Sequence, residues 1–153
     1  MKLHIALYRP EIPPNTGNIA RLCVGANLPL HIVGKPAFDL SEKAVRRAGL
    51  DYWKHLKLFT HESFEEFRNS LPKASVLYLV SKFGKTLYTK PEYKEGDILF
   101  FGNETSGVPK EIHEAIDETN KIYLPMPGEV RSLNLSNAVA IVAFEALRQI
   151  EYW

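Results

Sequence analysis

Cysteine is almost missing from this chain: Cys23 is the only one in 153 residues. A single thiol excludes an intramolecular disulfide and any metal site built on several thiolates. Long apolar runs are missing as well, and no stretch approaches the roughly 20 residues that a membrane-spanning helix needs. The opening MKLHIALYRPEI reads as a strand and a turn, without the apolar core and small-residue cleavage site of a secretion signal. The five histidines (His4, His31, His55, His61 and His113) are scattered, with no pair at ligand spacing. Together these absences lead us to expect a cytoplasmic protein that uses neither metal nor membrane.

What is present belongs to an ordinary globular protein. Hydrophobic residues make up 45% and charged residues 24%. At this length we expect one domain, residues 1–153, burying roughly two-thirds of its unfolded surface. The net charge of +1 hides an asymmetry, because residues 1–60 carry nine Lys and Arg against four Asp and Glu, while residues 61–153 carry ten against fourteen. A basic amino-terminal half hints at an anionic partner.

Short apolar runs with little polar alternation recur at residues 3–8, 30–34, 76–81, 97–102 and 121–126. Such runs suit strands covered on both faces, and helical stretches between them argue for a mostly parallel sheet flanked by helices, an α/β fold. After the first run comes RPEIPPNTGNIARLC, whose prolines favour extended backbone and whose Asn15 or Thr16 can cap the next helix. Ile19, Leu22, Cys23 and Ala26 form its buried stripe, which makes Cys23 a core residue. Asn15, Asn18 and Arg21 recur every three residues on another face. They read either as solvated helix surface or as an amide and guanidinium cluster for phosphate or ribose.

Lys43, Arg46, Arg47, Tyr52, Trp53, Lys54 and His55 fall within thirteen residues. Interleaved cations and aromatics suit phosphates and stacked bases, although an amphipathic helix with its aromatics turned inward would show the same pattern. The stretch FFGNETSGVP places Glu104 between Gly102 and Gly107. It fails as a phosphate-binding P-loop, since Val108 and Pro109 stand where Lys and Ser or Thr are required. Finally, IYLPMPGEVRSLNLSNAVAIVAF crowds Arg131, Ser132, Asn134, Ser136 and Asn137 onto a strand-to-helix turn. That is more polar side chain than one helix cap uses. The helix beyond is apolar on nearly every side, so it belongs in a core or at a subunit contact.

Taken together, NTGNIAR (residues 15–21), FGNETSGVP (101–109) and IYLPMPGEVRSLNLS (122–136) resemble the three motifs of the SPOUT-class RNA 2′-O-methyltransferases. The nearest likeness is to the minimal TrmL-type (YibK-like) subfamily, which methylates the wobble nucleotide, position 34, of certain tRNAs. The likeness spans nearly the whole chain. It implies a parallel α/β sheet with a deep carboxyl-terminal trefoil knot, a homodimer, S-adenosylmethionine as methyl donor and a tRNA anticodon stem-loop as partner. It implies Leu79, Gly102, Leu124 and Ser132 for the cofactor, and Arg21, Glu104 and Asn134 for the chemistry. For the RNA side, the motif positions and the basic–aromatic stretch together give Asn15, Asn18, Arg46, Arg47, Trp53 and Arg131. Many relatives have Pro and Arg where this chain has Asn103 and Ser106. Two other readings stay open: the same chemistry on another tRNA position or on ribosomal RNA, and a non-catalytic RNA-binding module of this fold.

Overall fold

The computed structural model describes residues 2–40 and 52–153. Seven strands form one sheet: β1 (Leu3–Tyr8), β2 (Leu30–Val33), β3 (Leu58–His61), β4 (Leu77–Val80), β5 (Thr86–Leu87), β6 (Asp97–Phe101) and β7 (Lys121–Tyr123). Their order is β3-β2-β1-β6-β4-β7-β5, and every pairing is parallel. β3 and β5 go beyond the five strands expected, and both lie at the sheet edges. β3 leaves Phe59 and Thr60 exposed and β5 has two residues, so neither carries the unbroken apolar run of a central strand.

Helices cover both faces. Leu3, Ile5, Leu7, Leu30 and Ile32 pack against α1 (Pro13–Gly25) and α4 (Leu135–Glu151). Ala6, Tyr8, Val33 and Phe100 pack on the other side with Phe67 of α2 (Phe64–Ser70) and Ile112 of α3 (Lys110–Ala115). Alternate residues of one strand thus serve two cores, as the continuous apolar runs require. Cys23 is fully buried in the first core, where desolvation pushes its thiol up to about 12. It is inert packing.

Two local expectations change. Asn15 and Thr16 do not cap α1, because the helix begins two residues earlier, at Pro13 and Pro14. Proline fits a first turn, where backbone N–H groups have no helical partner. The histidines are not all scattered either. His4 Nδ1 lies 2.9 Å from His31 Nε2, and His31 Nδ1 lies 2.9 Å from His61 Nε2, a chain of three imidazoles across β1, β2 and β3. His31 stacks on Phe59 and tilts against Phe67 at centroid distances of 5.1 and 5.3 Å. Parallel register brings together rings that are 27 and 30 residues apart.

The sheet's least usual feature is the position of β7. It lies between β4 and β5, which follow one another in the chain. Parallel neighbours are normally joined by a dozen or more residues. Here residues 81–85 step across a strand that the chain supplies later, with Ser81 N–H donating to Ile122 O at 2.9 Å. Gly84 makes this possible, since a Cβ there would stand 2.7 Å from the carbonyl carbon and oxygen of Ile122. A deep knot needs a crossing of this kind.

Two outcomes follow. Gly84→Ala should lower the urea midpoint, destabilising by about 1–3 kcal/mol, because β7 is hydrogen-bonded on both sides and cannot retreat. An unchanged midpoint would show that the crossing has slack. Acid should act through His31, whose pKa is lowered to about 3, chiefly by burial and further by His4 and His61. Below pH 6.5 the unfolded chain takes up a proton that the folded chain refuses, so stability falls between pH 6.5 and 3. The slope is at most about 1.4 kcal/mol per pH unit for this group. His31→Phe should flatten the acid limb of a stability–pH curve, and an unaltered slope would count against the chain of rings.

Candidate active site

The strands β4, β6 and β7 end at one side of the sheet, and the loops that leave them enclose a cavity of about 960 Å³. In open α/β sheets ligands bind outside the carboxyl ends of strands, and this cavity obeys that rule. Leu79, Gly102, Leu124 and Ser132 all line it, and so do Asn15, Glu104, Arg131 and Asn134. Its wall is apolar at Phe101, Met126, Leu135 and Ala138, while Asn103, Thr105 and Ser106 supply a polar rim. An apolar slot with a few placed polar groups fits a nucleoside carrying a charged tail.

The loop after β6 closes on itself. Asn103 and Gly107 exchange backbone hydrogen bonds of 3.1 and 3.2 Å, and Asn103 Oδ1 accepts from Ser106 N at 2.8 Å and Ser106 Oγ at 3.0 Å. Asn103 and Ser106, the two departures from the motif, are thus partners. Gly107 sits at φ +67°, in the left-handed region that favours glycine. Gly102 is required for a different contact: a Cβ there would come within 2.4 Å of Gly107 Cα. Its lack of a side chain lets the loop tighten before any ligand arrives.

Glu104 leaves this loop and holds α1. Its Oε1 accepts from Glu11 N at 3.0 Å, and its Oε2 accepts from Ile12 N at 2.8 Å and Asn15 Nδ2 at 3.2 Å. The two prolines that open α1 have no N–H, and Ile12 brings no capping side chain, so the carboxylate does this work from 92 residues away. It also stands where the helix dipole favours an anion. Asn15 is buried, and its Oδ1 accepts from Asn134 Nδ2 at 3.0 Å. Asn134 is in turn the N-cap of α4, accepting from Ser136 N at 2.9 Å and Ser136 Oγ at 2.6 Å. One hydrogen-bonded chain therefore links the three motif segments.

Arg21 and Asn18 are not part of it. Both are exposed and line a second, shallower groove of about 580 Å³ with Leu22, Ser136, Asn137 and Phe144. The Arg21 guanidinium lies 5.1 Å from the centre of the Tyr52 ring. The even three-residue spacing of Asn15, Asn18 and Arg21 hid this division, because α1 turns Asn15 inward and the other two outward. Trp53, in a 3₁₀ turn (Trp53–His55), is half-buried against the first core. Arg46 and Arg47, and the helix expected around them, lie outside the described residues. The sequence reading passed over Lys82, Phe83, Lys110, His113 and Glu114, which also line the large cavity. SKFGK directly after a strand, with a Gly in the turn, was the available signal.

A sheet of this order, with such loops at its carboxyl edge, defines the methyltransferase class that the motifs resemble. The chain belongs to the SpoU rRNA Methylase family, which it matches over residues 2–144. It is 43% identical to the tRNA (cytidine(34)-2'-O)-methyltransferase of Escherichia coli strain K12, over 98% of this chain and 95% of that one. It is 41% identical to the protein of the same name from Methylovorus glucosotrophus, over 97% and 96%. Among solved structures, a chain from work on 2-OH methylation of C/U34 on tRNA superposes with a TM-score of 0.94 at 42% identity, covering 99% of this chain and 97% of that one. An AdoMet-bound rRNA methyltransferase from Sinorhizobium meliloti gives 0.86 at 27%, over 96% of this chain and 56% of its own.

Asn15→Asp tests the linking chain. It would set a second carboxylate 3.2 Å from Glu104, where an amide now donates. We expect a loss of about 1–3 kcal/mol at pH 8. The deficit against wild type should shrink towards pH 5, because a proton shared by the two acids restores a donor and is bound more tightly folded than unfolded. A deficit that does not vary with pH would mean the two side chains are not in contact.

Proposed function

We propose that this protein transfers a methyl group from S-adenosylmethionine to the ribose 2′-OH of nucleotide 34 in the anticodon stem-loop of tRNA. The observation that carries this reading is the convergence of the three motif segments on one cavity, joined through Glu104, Asn15 and Asn134. The names of relatives covering nearly the whole chain support the substrate. We read the chain as a single domain, residues 1–153, acting in the cytoplasm. Among the described residues no helix is long and apolar enough to cross a membrane. The crossing at residues 81–85 supports the deep knot.

Bound in the cavity, S-adenosylmethionine would supply an electrophilic methyl carbon: the ribose oxygen would take the methyl as the C–S bond breaks, the electron pair staying on sulfur, and the hydroxyl proton would pass to solvent. The protein's task is alignment, which can supply on the order of 7–11 kcal/mol. Leu79, Gly102, Leu124 and Ser132 would hold the donor in the apolar slot. Glu104 has both oxygens engaged, so we read it as fixing Asn15 and Asn134 rather than taking the proton. A guanidinium is a poor base and a good stabiliser of developing alkoxide charge, and we read Arg21 in that role. Asn18, Arg131, Trp53, Arg46 and Arg47 would meet the RNA.

Arg21 lies outside its own chain's cavity, in the groove that Phe144 of α4 also lines, and both Phe144 and Ile141 of that helix are exposed. Exposed apolar side chains on a helix that is otherwise core support a homodimer with this face as its isologous contact. Arg21 then sits at the subunit boundary.

Mass mapping of nucleosides from tRNA incubated with the protein and S-adenosylmethionine tests the function. A 2′-O-methyl group at position 34 is expected, and methylation confined to ribosomal RNA would overturn the reading. Arg21→Ala should keep the fold, the dimer and cofactor binding while single-turnover methyl transfer falls about 100-fold or more. Arg21→Lys should rescue poorly, since Lys lacks the planar fork. A near-normal rate for Arg21→Ala would mark it as surface charge.

A further inference from the structure

The cavity is lined by more than the implied cofactor residues. Its volume of about 960 Å³ lies at the top of the range of roughly 300–1,000 Å³ for pockets that hold one small ligand. Leu79, Gly102, Leu124 and Ser132 leave one corner unassigned, where residues 81–85 face α3. Phe83 stands there with 67% of its surface exposed. Its ring meets the His113 ring edge-on, with centroids 6.3 Å apart, and Lys82 Nζ lies 5.2 Å from its centre. Lys110 lines the same corner, tied among the described residues only to Glu114 by an exposed ion pair of 3.7 Å. A pair of that kind is weak enough to be exchanged for another anion. His113 Nε2 is buried with no hydrogen-bond partner among the described residues. Buried polar atoms are rarely left so.

We propose that this corner is a second subsite, taking one single-stranded nucleotide that flanks the ribose being methylated, with its base on Phe83 and its phosphate between Lys82 and Lys110. The proposal deepens the tRNA methyltransferase reading and rests on it. An open aromatic face flanked by cations is the combination that binds unpaired nucleotides, because every base has a π-face and every phosphate a charge. The backbone beside the platform is anchored, with Ser81 N–H donating to Ile122 O at 2.9 Å. Gly84, next to Phe83, lies close against the Ile122 backbone, so the ring stands beside a fixed strand. A stacked flanking base would hold the neighbouring ribose still at the cavity mouth.

The test uses the full chain and anticodon stem-loop RNAs carrying 2-aminopurine at each position next to nucleotide 34. Binding to wild-type protein should change the fluorescence at one flanking position. Phe83→Leu keeps an apolar side chain at an exposed site and should leave the melting temperature unaltered. It should abolish that fluorescence change and raise KM for RNA about tenfold, with kcat nearly constant and S-adenosylmethionine affinity by calorimetry within twofold of wild type. Replacing Lys82 and Lys110 together by Gln should reduce the slope of log affinity against log salt by about 0.7, the share of one phosphate. If Phe83→Leu instead weakens S-adenosylmethionine binding and leaves RNA affinity intact, the ring covers the cofactor and the subsite is wrong. Fluorescence and KM identical to wild type would also overturn it. A wild-type protein that binds none of these RNAs fails earlier and differently, taking the tRNA reading down with the subsite.

Discussion

The carboxylate of Glu104 is the contact on which the site depends. Two prolines preset the backbone of the first turn of α1, but no local side chain caps its start. An anion supplied from the loop after β6 defines it, receiving the N–H groups of Glu11 and Ile12 and the amide of Asn15. Asn15 then fixes Asn134, and Asn134 starts α4. The interaction is short-ranged and partly buried, where a charged acceptor is about twice as strong as a neutral one. Without it the three motif segments would share a sheet edge but no common geometry.

The crossing of residues 81–85 over β7 constrains the same edge from the other side. Ser81 and Gly84 lie directly against the Ile122 backbone, leaving no room for a side chain between loop and strand. Loops are usually the mobile part of a binding site. Here one wall is held by a strand that is itself paired on both edges, and another by the Asn103–Gly107 ring. Preformed walls reduce the ordering cost that a ligand must meet on binding.

The last helix divides its labour by face. Val139, Val142, Ala143, Ala146 and Leu147 are buried against the sheet, while Ile141 and Phe144 point outward. Phe144 borders the groove that holds Arg21, which the Tyr52 ring also touches. Core, groove and outward apolar face are thus served by a single stretch of sequence. The near absence of polar residues in it leaves apolar side chains on the outward face as well as in the core.

Much of this was legible in the chain. The central strands declared themselves as apolar runs, because a strand covered on both faces has no position for a polar residue. Helical period put Ile19 and Cys23 in the core, although Leu22 and Ala26 of the same stripe are only half-buried, and the motif resemblance named the family and the segments that supply most of the cavity's lining. Three things were decided only by tertiary structure. The edge strands β3 and β5 lack the pattern because half their surface meets water. The imidazole chain exists because parallel register aligns histidines from three separate strands. The parting of Arg21 from Asn15, six residues away on one helix, depends on which side of α1 meets α4. Sequence periodicity reports how far a position turns around its own helix. It does not report what stands opposite, and in this protein Glu104 and Asn134, reached across 89 and 119 residues, are what stand opposite Asn15.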